Sequence, residues 1–590
     1  MRRGRHQSWP VHSRSPLPPP DPTAASISVR QTLDLLDGVF ANLCAGVERG
    51  EYALWLGSAI SRERVSALNG VLSKLVEFLR SRIDPANLNC PFQIALDRVL
   101  RFATLSAEEK GRIDLATNSA TWPDLPIILQ RLATQYSHVL DVTVAGQPAA
   151  DYLLWEGIDF VHTFANEEPD AEHLCVGVLA LEGVISEIVS ANWDGLLEAA
   201  AVELRGQSDF YRVCVTGIDF RGPAAAARLL KFHGCALRAI EDEAIYRPLL
   251  IARWSQIVGW AANHNFEMMK QELAALAARA RTLMIGMSAQ DPNIQQLFQI
   301  ARGRATWQWA ENPPPHVFAE DEIGEGQRTI LQISYEPDFH AHEIDIVSRS
   351  CIRAFGKPLL AALMLNVIFS KYCALLSEAD APHMRPADFA RLCAGLERLR
   401  NLAAEAAEPD RLFFVRAFVR HSSRARAMLQ DGQAHVHLTL PYRPISDRPI
   451  HQTPNDANLR STGQREAANA LALLGLGLDA GDWTLTIDDP GQINSGAIRV
   501  RSALSEARVI FVAHGGAALN LFDSGVYRED DDDVIIIHST TIVTAQQRSP
   551  SRTYGRPGRQ GARHVDMSQL LRQATSAIDL QDRFRNEASI

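Results

Sequence analysis

From Val29 to about Gly303, short apolar runs alternate with stretches of helical periodicity, the pattern of βα units around a mostly parallel sheet. Four runs read as strands: Ala53 to Gly57 (ALWLG), Glu187 to Ala191 (EIVSA), Arg228 to Phe232 (RLLKF) and Thr282 to Met287 (TLMIGM). Each ends on polar or small residues. Ligands of open α/β sheets bind outside the carboxyl ends of the strands, so a site is expected at these four ends. Between the first two strands, residues 66–184 read as mostly helical. Val65, Leu68, Leu72, Leu75, Val76 and Leu79 recur at three- and four-residue spacing, which predicts a helical insertion over one side of the sheet. Trp254 to Arg281 predicts one further helix before the last strand.

The pattern changes after ENPPPHVF, Glu311 to Phe318, where a proline cluster marks a boundary. Residues 319–433 read as a helix-rich region. From about Ala434 the runs HVHLTLPYRP, WTLTIDD, AIRVRS, RVIFVAH and DVIIIHS read as strands of a C-terminal α/β or β-rich module, 434–545. Residues 546–590 read as a polar linker and a helical tail, and residues 1–28 as a disordered arm. The expected fold class is therefore α/β: a Rossmann-like parallel sheet of residues 29–318 with its helical insertion, a helical region, then the C-terminal module.

Composition narrows the function. A chain of 590 residues is long for one core and predicts two to four domains. Its net charge of -10 argues against non-specific nucleic-acid binding as the main activity. The eight cysteines contain no CxxC pair, which suits a reducing compartment and offers neither a disulfide framework nor a four-cysteine zinc site. The basic, proline-rich start lacks the apolar core of a secretory signal. The longest apolar run, Leu359 to Phe369, is shorter than the roughly 18 residues of a membrane span, so a cytoplasmic protein without a membrane helix is expected.

The chemistry lies at the carboxyl end of each strand. LGSAIS ends the first, SANWDGLLEAA the second, KFHGC the third, and MIGMSAQDPNIQQLF the fourth. Alone, LGSAIS fits any βα turn. His233, after a buried-looking strand and beside Gly234, has the placement of a base that works near neutral pH. Asp291 followed by Pro292 reads as a cap opening a helix, and Asp194 precedes the apolar helix GLLEAAAVEL.

In this order the four motifs resemble the sirtuin (Sir-two) family, which pairs a glycine-rich NAD loop with an Asn/Asp motif, a catalytic His-Gly and a later Gly-x-Ser. The resemblance spans about Glu51 to Ile300 and is closest to a divergent bacterial branch whose members resemble NAD-consuming anti-phage effectors. It implies that Gly57, Ser58 and Ala59 let the backbone approach a pyrophosphate, helped by a helix beginning near Ser61 and by Ser61 and Arg62. Ala59 stands where the family usually has glycine. Asn192 is implied to fix the nicotinamide ribose or orient the attacking water. Asp194 either binds a ribose hydroxyl or the nicotinamide amide, or caps its helix. His233 is the implied base, Gly286 and Ser288 repeat the phosphate-loop logic, and Ser288 and Asn293 are placed towards the adenosine ribose beside the capping Asp291.

Deacetylase sirtuins carry a four-cysteine zinc module after the His-Gly motif. Between His233 and Asp291 this chain has only Cys235, so no zinc is expected. The resemblance thus implies an NAD+ hydrolase releasing nicotinamide and ADP-ribose, restrained until an activating protein, a nucleic-acid-linked partner or self-assembly into a homo-oligomer releases it. A protein deacylase or ADP-ribosyltransferase, and a non-catalytic NAD or ADP-ribose sensor, are the alternatives.

Other signals carry less. HAHEID, His340 to Asp345, fails HExxH because Ile346 occupies the second histidine's place, and reads as a solvated loop or helix start. His435 and His437 read as a surface strand. Arg416, Arg420 and Arg424 form a stripe that reads as a solvated helix face. AHGGAALNLF reads as a βα turn and Glu529 to Asp533 as a surface turn.

Overall fold

A computed structural model describes residues 22–65, 68–164, 168–207, 209–408, 410–436, 440–454, 456–503, 505–540 and 561–590. Most of the expected N-terminal arm, the start of the 546–590 linker and His437 lie outside the described residues.

The expected parallel sheet has seven strands: β1 Tyr52–Leu56, β2 Glu187–Ser190, β3 Tyr211–Cys214, β4 Ala227–Lys231, β5 Arg281–Ile285, β6 His316–Ala319 and β7 Cys351–Ile352. Their order is β3-β4-β2-β1-β5-β6-β7, with every pairing parallel. The chain runs outward from β1 to β2 and on to the edge strand β3, steps back into β4 between β3 and β2, then crosses to β5 on the other side of β1. The direction of winding therefore reverses at β1, and strand ends part at such a point to leave a crevice.

Both faces of the sheet are covered, which is why its strands read as apolar runs. Side chains alternate between the faces. Leu54, Leu56, Ile188, Leu283 and Ile285 join a core with the helices Ala171–Leu181 and Gly356–Leu376. Ala53, Trp55, Val189 and Met284 join a core on the opposite face with the helices Glu267–Arg279 and Pro292–Arg304. The insertion has a core of its own, in which Leu72, Leu75, Val76 and Leu79 of the helix Leu68–Ser81 meet Leu96, Ile128 and Leu132. Helix 171–181 stands apart from it: all eleven residues are buried, and it packs in the sheet's core.

The second sheet comprises β8 Trp483–Ile487, β9 Ile498–Ser502, β10 Glu506–Val512, β11 Val534–His538 and β12 Arg563–Asp566, in the order β12-β11-β10-β9-β8. Strands β10, β11 and β12 are parallel, whereas β8, β9 and β10 are antiparallel. The core on the 171–181 side runs on without a break into this module, through Leu359, Leu473, Val509 and Ile535. A buried ionic knot lies on the same path. Lys371 Nζ donates to Glu182 Oε2 at 2.8 Å, both side chains being fully buried, and Tyr442 donates to Glu182 Oε1 at 2.7 Å. Burial pushes the Glu182 carboxyl up, but Lys371 and Arg426 outweigh it and hold the group below its usual range, which keeps the carboxylate ionised, while burial lowers the Lys371 ammonium against the pull of Glu182.

Several expectations need correction. Trp254 to Arg281 is not one helix. It breaks into Trp254–Gly259, two short 3₁₀ turns and Glu267–Arg279, and Arg281 opens β5. The described residues of HVHLTLPYRP are irregular rather than a strand. The arginine stripe is a solvated face only in part: Arg416 is exposed and pairs with Glu203 at the surface, whereas Arg424 is 3% exposed and donates to the Gly496 and Ser495 carbonyls. The segment 340–345, by contrast, forms the solvent-facing start of the helix Phe339–Ser350, in line with the helix-start reading. Helix 356–376 is long and apolar enough to cross a membrane, with a mean hydropathy of 1.9 over its most apolar window, yet 72% of that window is buried inside the protein.

Candidate functional site

The crevice begins where β1 meets β5. Gly57 follows β1, and a Cβ there would lie 2.2 Å from the Gly286 carbonyl oxygen and 2.6 Å from Met287 Cα. Gly286 has φ +66, and a Cβ on it would lie 2.8 Å from that of Ala59. The two turns are stacked too closely for side chains at either glycine. Gly57 N–H donates to the Ile285 carbonyl at 3.0 Å, and Ala59 N–H to the Gly286 carbonyl at 3.3 Å.

These bonds correct the expected phosphate loop. No α-helix starts near Ser61: Ser58–Ser61 is a single 3₁₀ turn, and the next helix begins at Leu68. The Ala59 amide bonds across to the Gly286 carbonyl just after β5, while the Ile60 and Arg62 amides bond back three residues to Gly57 and Ala59, the 3₁₀ pattern. The Ala59 amide is already bonded.

Ser58, Ala59, Arg62, Gly286 and Ser288 nevertheless share one wall of a cavity of about 520 Å³ at the ends of β1, β5 and β6. The same cavity is also lined by Asp170, Glu172, Lys357 and Arg411. Lys357 Nζ lies 2.9 Å from Asp170 Oδ2 and 2.6 Å from Glu63 Oε2. Glu172 is 5% exposed and its Oε2 has no hydrogen-bond partner. Burial, with Asp170 and Glu63 adding and Lys357 opposing, raises its carboxyl to about 8.

Asn192 stands at the end of β2, 9% exposed. Its Nδ2 donates to the Gly57 carbonyl at 3.1 Å and to Ser61 Oγ at 3.2 Å. A group facing a carbonyl must be the donor end of the amide, so both hydrogens are used inside the protein and Oδ1 is left as the free acceptor. On its far side Ser61 Oγ meets His173 Nε2 at 3.3 Å. Asp194 Oδ1 accepts the Leu196 N–H at 3.2 Å, an Asx turn that leads into the helix Leu196–Arg205, whose N-cap residue is Gly195. The Asp194 carbonyl accepts from Lys231 Nζ at 2.6 Å, and Lys231 makes a buried pair with Glu198 at 2.6 Å.

His233 follows β4. Gly234 takes φ +100, and a Cβ there would meet the Leu249 carbonyl at 2.8 Å. The Ile251 N–H donates to the His233 carbonyl at 2.9 Å, so segment 249–251 clamps the turn. His233 Nε2 lies 2.9 Å from Asp291 Oδ2, an ion-pair contact without hydrogen-bond alignment. Asp291 also accepts the Asn293 N–H at 2.8 Å, as the cap of helix 292–304. Burial pushes the Asp291 carboxyl up, and His233 and Asn293 more than offset this, leaving it below its usual range. The Asn293 side chain is turned away from the cavity, its Nδ2 donating to the Ile257 carbonyl at 3.0 Å.

The sequence-derived residues thus fall at four neighbouring strand ends, in three bonded groups: the Gly57–Gly286 crossing with the cavity wall, the Asn192–Ser61 pair, and the His233–Asp291 pair. Sequence reasoning missed His173, Glu172 and Lys357. The D-x-x-H spacing of Asp170 and His173 was a legible helix start, but nothing in it pointed to Ser61. Among the described residues, no group of three or more His, Cys, Asp or Glu side chains is placed to hold a metal ion.

Residues 186–330 match the model of the SIR2-like domain. The match covers β2 to β6 and leaves β1, Ser61, His173 and Lys357 outside it. No curated protein matches the chain.

Proposed function

We propose, from the premise that residues 186–330 form a SIR2-like domain, that this chain hydrolyses NAD+ to nicotinamide and ADP-ribose. SIR2-like domains point to NAD-related catalysis in general. The observation that carries the hydrolase reading is Asn192, whose amide hydrogens are both held by Gly57 and Ser61, so that its carbonyl is a fixed acceptor at the end of β2. In the reaction the bond between ribose C1′ and the pyridinium nitrogen breaks. The nitrogen takes the bonding pair and leaves neutral, so no strong acid is required, and C1′ gains oxocarbenium character.

Asn192 Oδ1 holds a ribose hydroxyl or the attacking water. As the water oxygen bonds to C1′, its proton passes to His233, which Asp291 orients and stabilises when charged. Ser58, Arg62 and Ser288 face the diphosphate and the adenosine ribose. The NAD diphosphate would fit the cavity wall through the Arg62 guanidinium and side-chain hydroxyls rather than through the Ala59 amide.

Free hydrolysis of NAD would drain the host cell. The proposed role is therefore a restrained effector of anti-phage defence, released by a partner or by self-assembly.

The test is nicotinamide and ADP-ribose release by the purified chain, beside Asn192→Ala and His233→Ala. Each variant should lose about 100-fold or more in kcat. Product attached to protein or acyl groups would support transfer instead, and NAD binding without turnover in any assembly state would support a sensor.

A further inference from the structure

His173 is 0% exposed at the start of helix 171–181, and both of its ring nitrogens are engaged. Nδ1 lies 3.1 Å from the Asp170 amide nitrogen, and Nε2 lies 3.3 Å from Ser61 Oγ. A backbone N–H only donates, so Nδ1 accepts, and the neutral ring carries its proton on Nε2. That proton goes to Ser61. Ser61 Oγ also receives an Asn192 Nδ2 hydrogen, which fills both lone pairs of the hydroxyl oxygen.

The consequence falls on Asn192. Turned by 180°, its carboxamide would set Oδ1 against the Gly57 carbonyl, which only accepts, so Gly57 sets the sense, and Ser61 Oγ, held from its other side by His173, takes the second Nδ2 hydrogen. At the start of the helix, any Gln or Glu would close the capping box as His173 does. What the imidazole adds is a second bond, in the opposite direction, to Ser61.

We infer that His173 is a positioning residue for Asn192, holding in place, through the Ser61 hydroxyl, the carboxamide that meets the substrate. The inference rests on the NAD-cleaving reading above. Asp170, which supplies the N–H to the ring, also contacts Lys357, and both line the cavity. The relay therefore begins outside the matched segment and ends on the candidate catalytic amide.

Two substitutions in the full chain separate this role from a structural one. His173→Asn keeps an acceptor near the Asp170 N–H but loses the reach to Ser61. His173→Gln keeps a donor with that reach. His173→Asn should lower kcat for nicotinamide release ~10- to 100-fold with KM within about threefold, and His173→Gln should recover most of the loss. On a Ser61→Ala background, His173→Asn should add nothing further, because both changes cut the same link. Equal losses in the two His173 variants, a loss shared between kcat and KM, or additivity with Ser61→Ala would overturn the inference.

A second readout needs no turnover. In ¹⁵N-histidine-labelled protein, the resonance lost in His173→Gln should report the neutral Nε2–H tautomer at pH 7. An imidazolium or an Nδ1–H ring there overturns the positioning role alone. Absence of nicotinamide release from the wild type overturns the hydrolase reading and the positioning role with it.

Discussion

Two turns in this chain have the same sequence form, a buried strand followed by glycine and a helical turn, and they differ in what they face. After β1, Gly57 and the Ser58–Ser61 turn border a cavity of about 520 Å³. After β10, His514 accepts the Ala517 N–H and caps the helix Gly515–Asp523, while the chain itself covers the strand ends. Gly463 sits there, where a Cβ would meet Ser539 Oγ at 2.6 Å and Ala513 Cβ at 2.8 Å. The difference follows from topology. At β1 the parallel connections leave to opposite sides, and the strand ends part. At β10 one neighbour is an antiparallel strand, so no second crossover diverges from it. A strand, a glycine and a helix therefore do not make a site unless winding reverses beside them.

The largest expected effect tests whether these two regions are one body. Lys371→Met leaves Glu182 buried without its main counter-charge and should cost about 3–5 kcal/mol. Because the core is continuous, denaturant unfolding should remain a single transition at a lower midpoint. Two separated transitions would show the sheets to be independent.

Next, Gly57→Ala forces a methyl against the Gly286 carbonyl and should cost roughly 3 kcal/mol, with loss of NAD binding. Gly516→Ala meets only His514 Nδ1 at 3.2 Å and should change stability by less than about 0.5 kcal/mol. Similar midpoints for the two variants would erase the contrast between the turns.

Glu172 sharpens the electrostatic side of the comparison. Its folded-state pKa of about 8 lies above the ordinary 4.5, so between those values the unfolded chain releases a proton that the folded chain keeps. Stability from this group is complete below pH 4.5 and falls as pH rises towards 8. Glu172→Gln should therefore leave the melting temperature nearly unchanged near pH 4.5 and raise it by roughly 5 °C at pH 8. An equal gain at both pH values would mean that the carboxyl is ionised throughout.

The smallest effect concerns Ala59. Its amide is bonded to Gly286, so Ala59→Gly should change NAD affinity by less than about threefold in calorimetry. Tenfold tightening would show that the turn opens to cradle phosphate.

Strands β1, β2, β4 and β5 were legible to within a residue or two, because strands buried on both faces must be apolar along their length. Strand β3 was not, since YRVC is short and half-buried, nor was β7, which is two residues long. The stripe at Arg416 and Arg424 showed helical spacing correctly but gave no sign that the β8–β9 connection would bring carbonyls onto Arg424. In the site, Gly57, Asn192, His233 and Gly286 stood out because each follows a recognisable strand. Asp291 was legible as a cap, but its contact with His233 joins residues 58 positions apart in the chain.

By itself the sequence determined the alternation of strands and helices and the residue types at the strand ends, because periodicity and chain order are local properties. The tertiary structure alone decided which of those ends opens on a cavity, which amides remain free to bind, and that His173 and Lys357 join the site. Those outcomes depend on strand order and on hydrogen bonds between distant segments, which no spacing along the chain records.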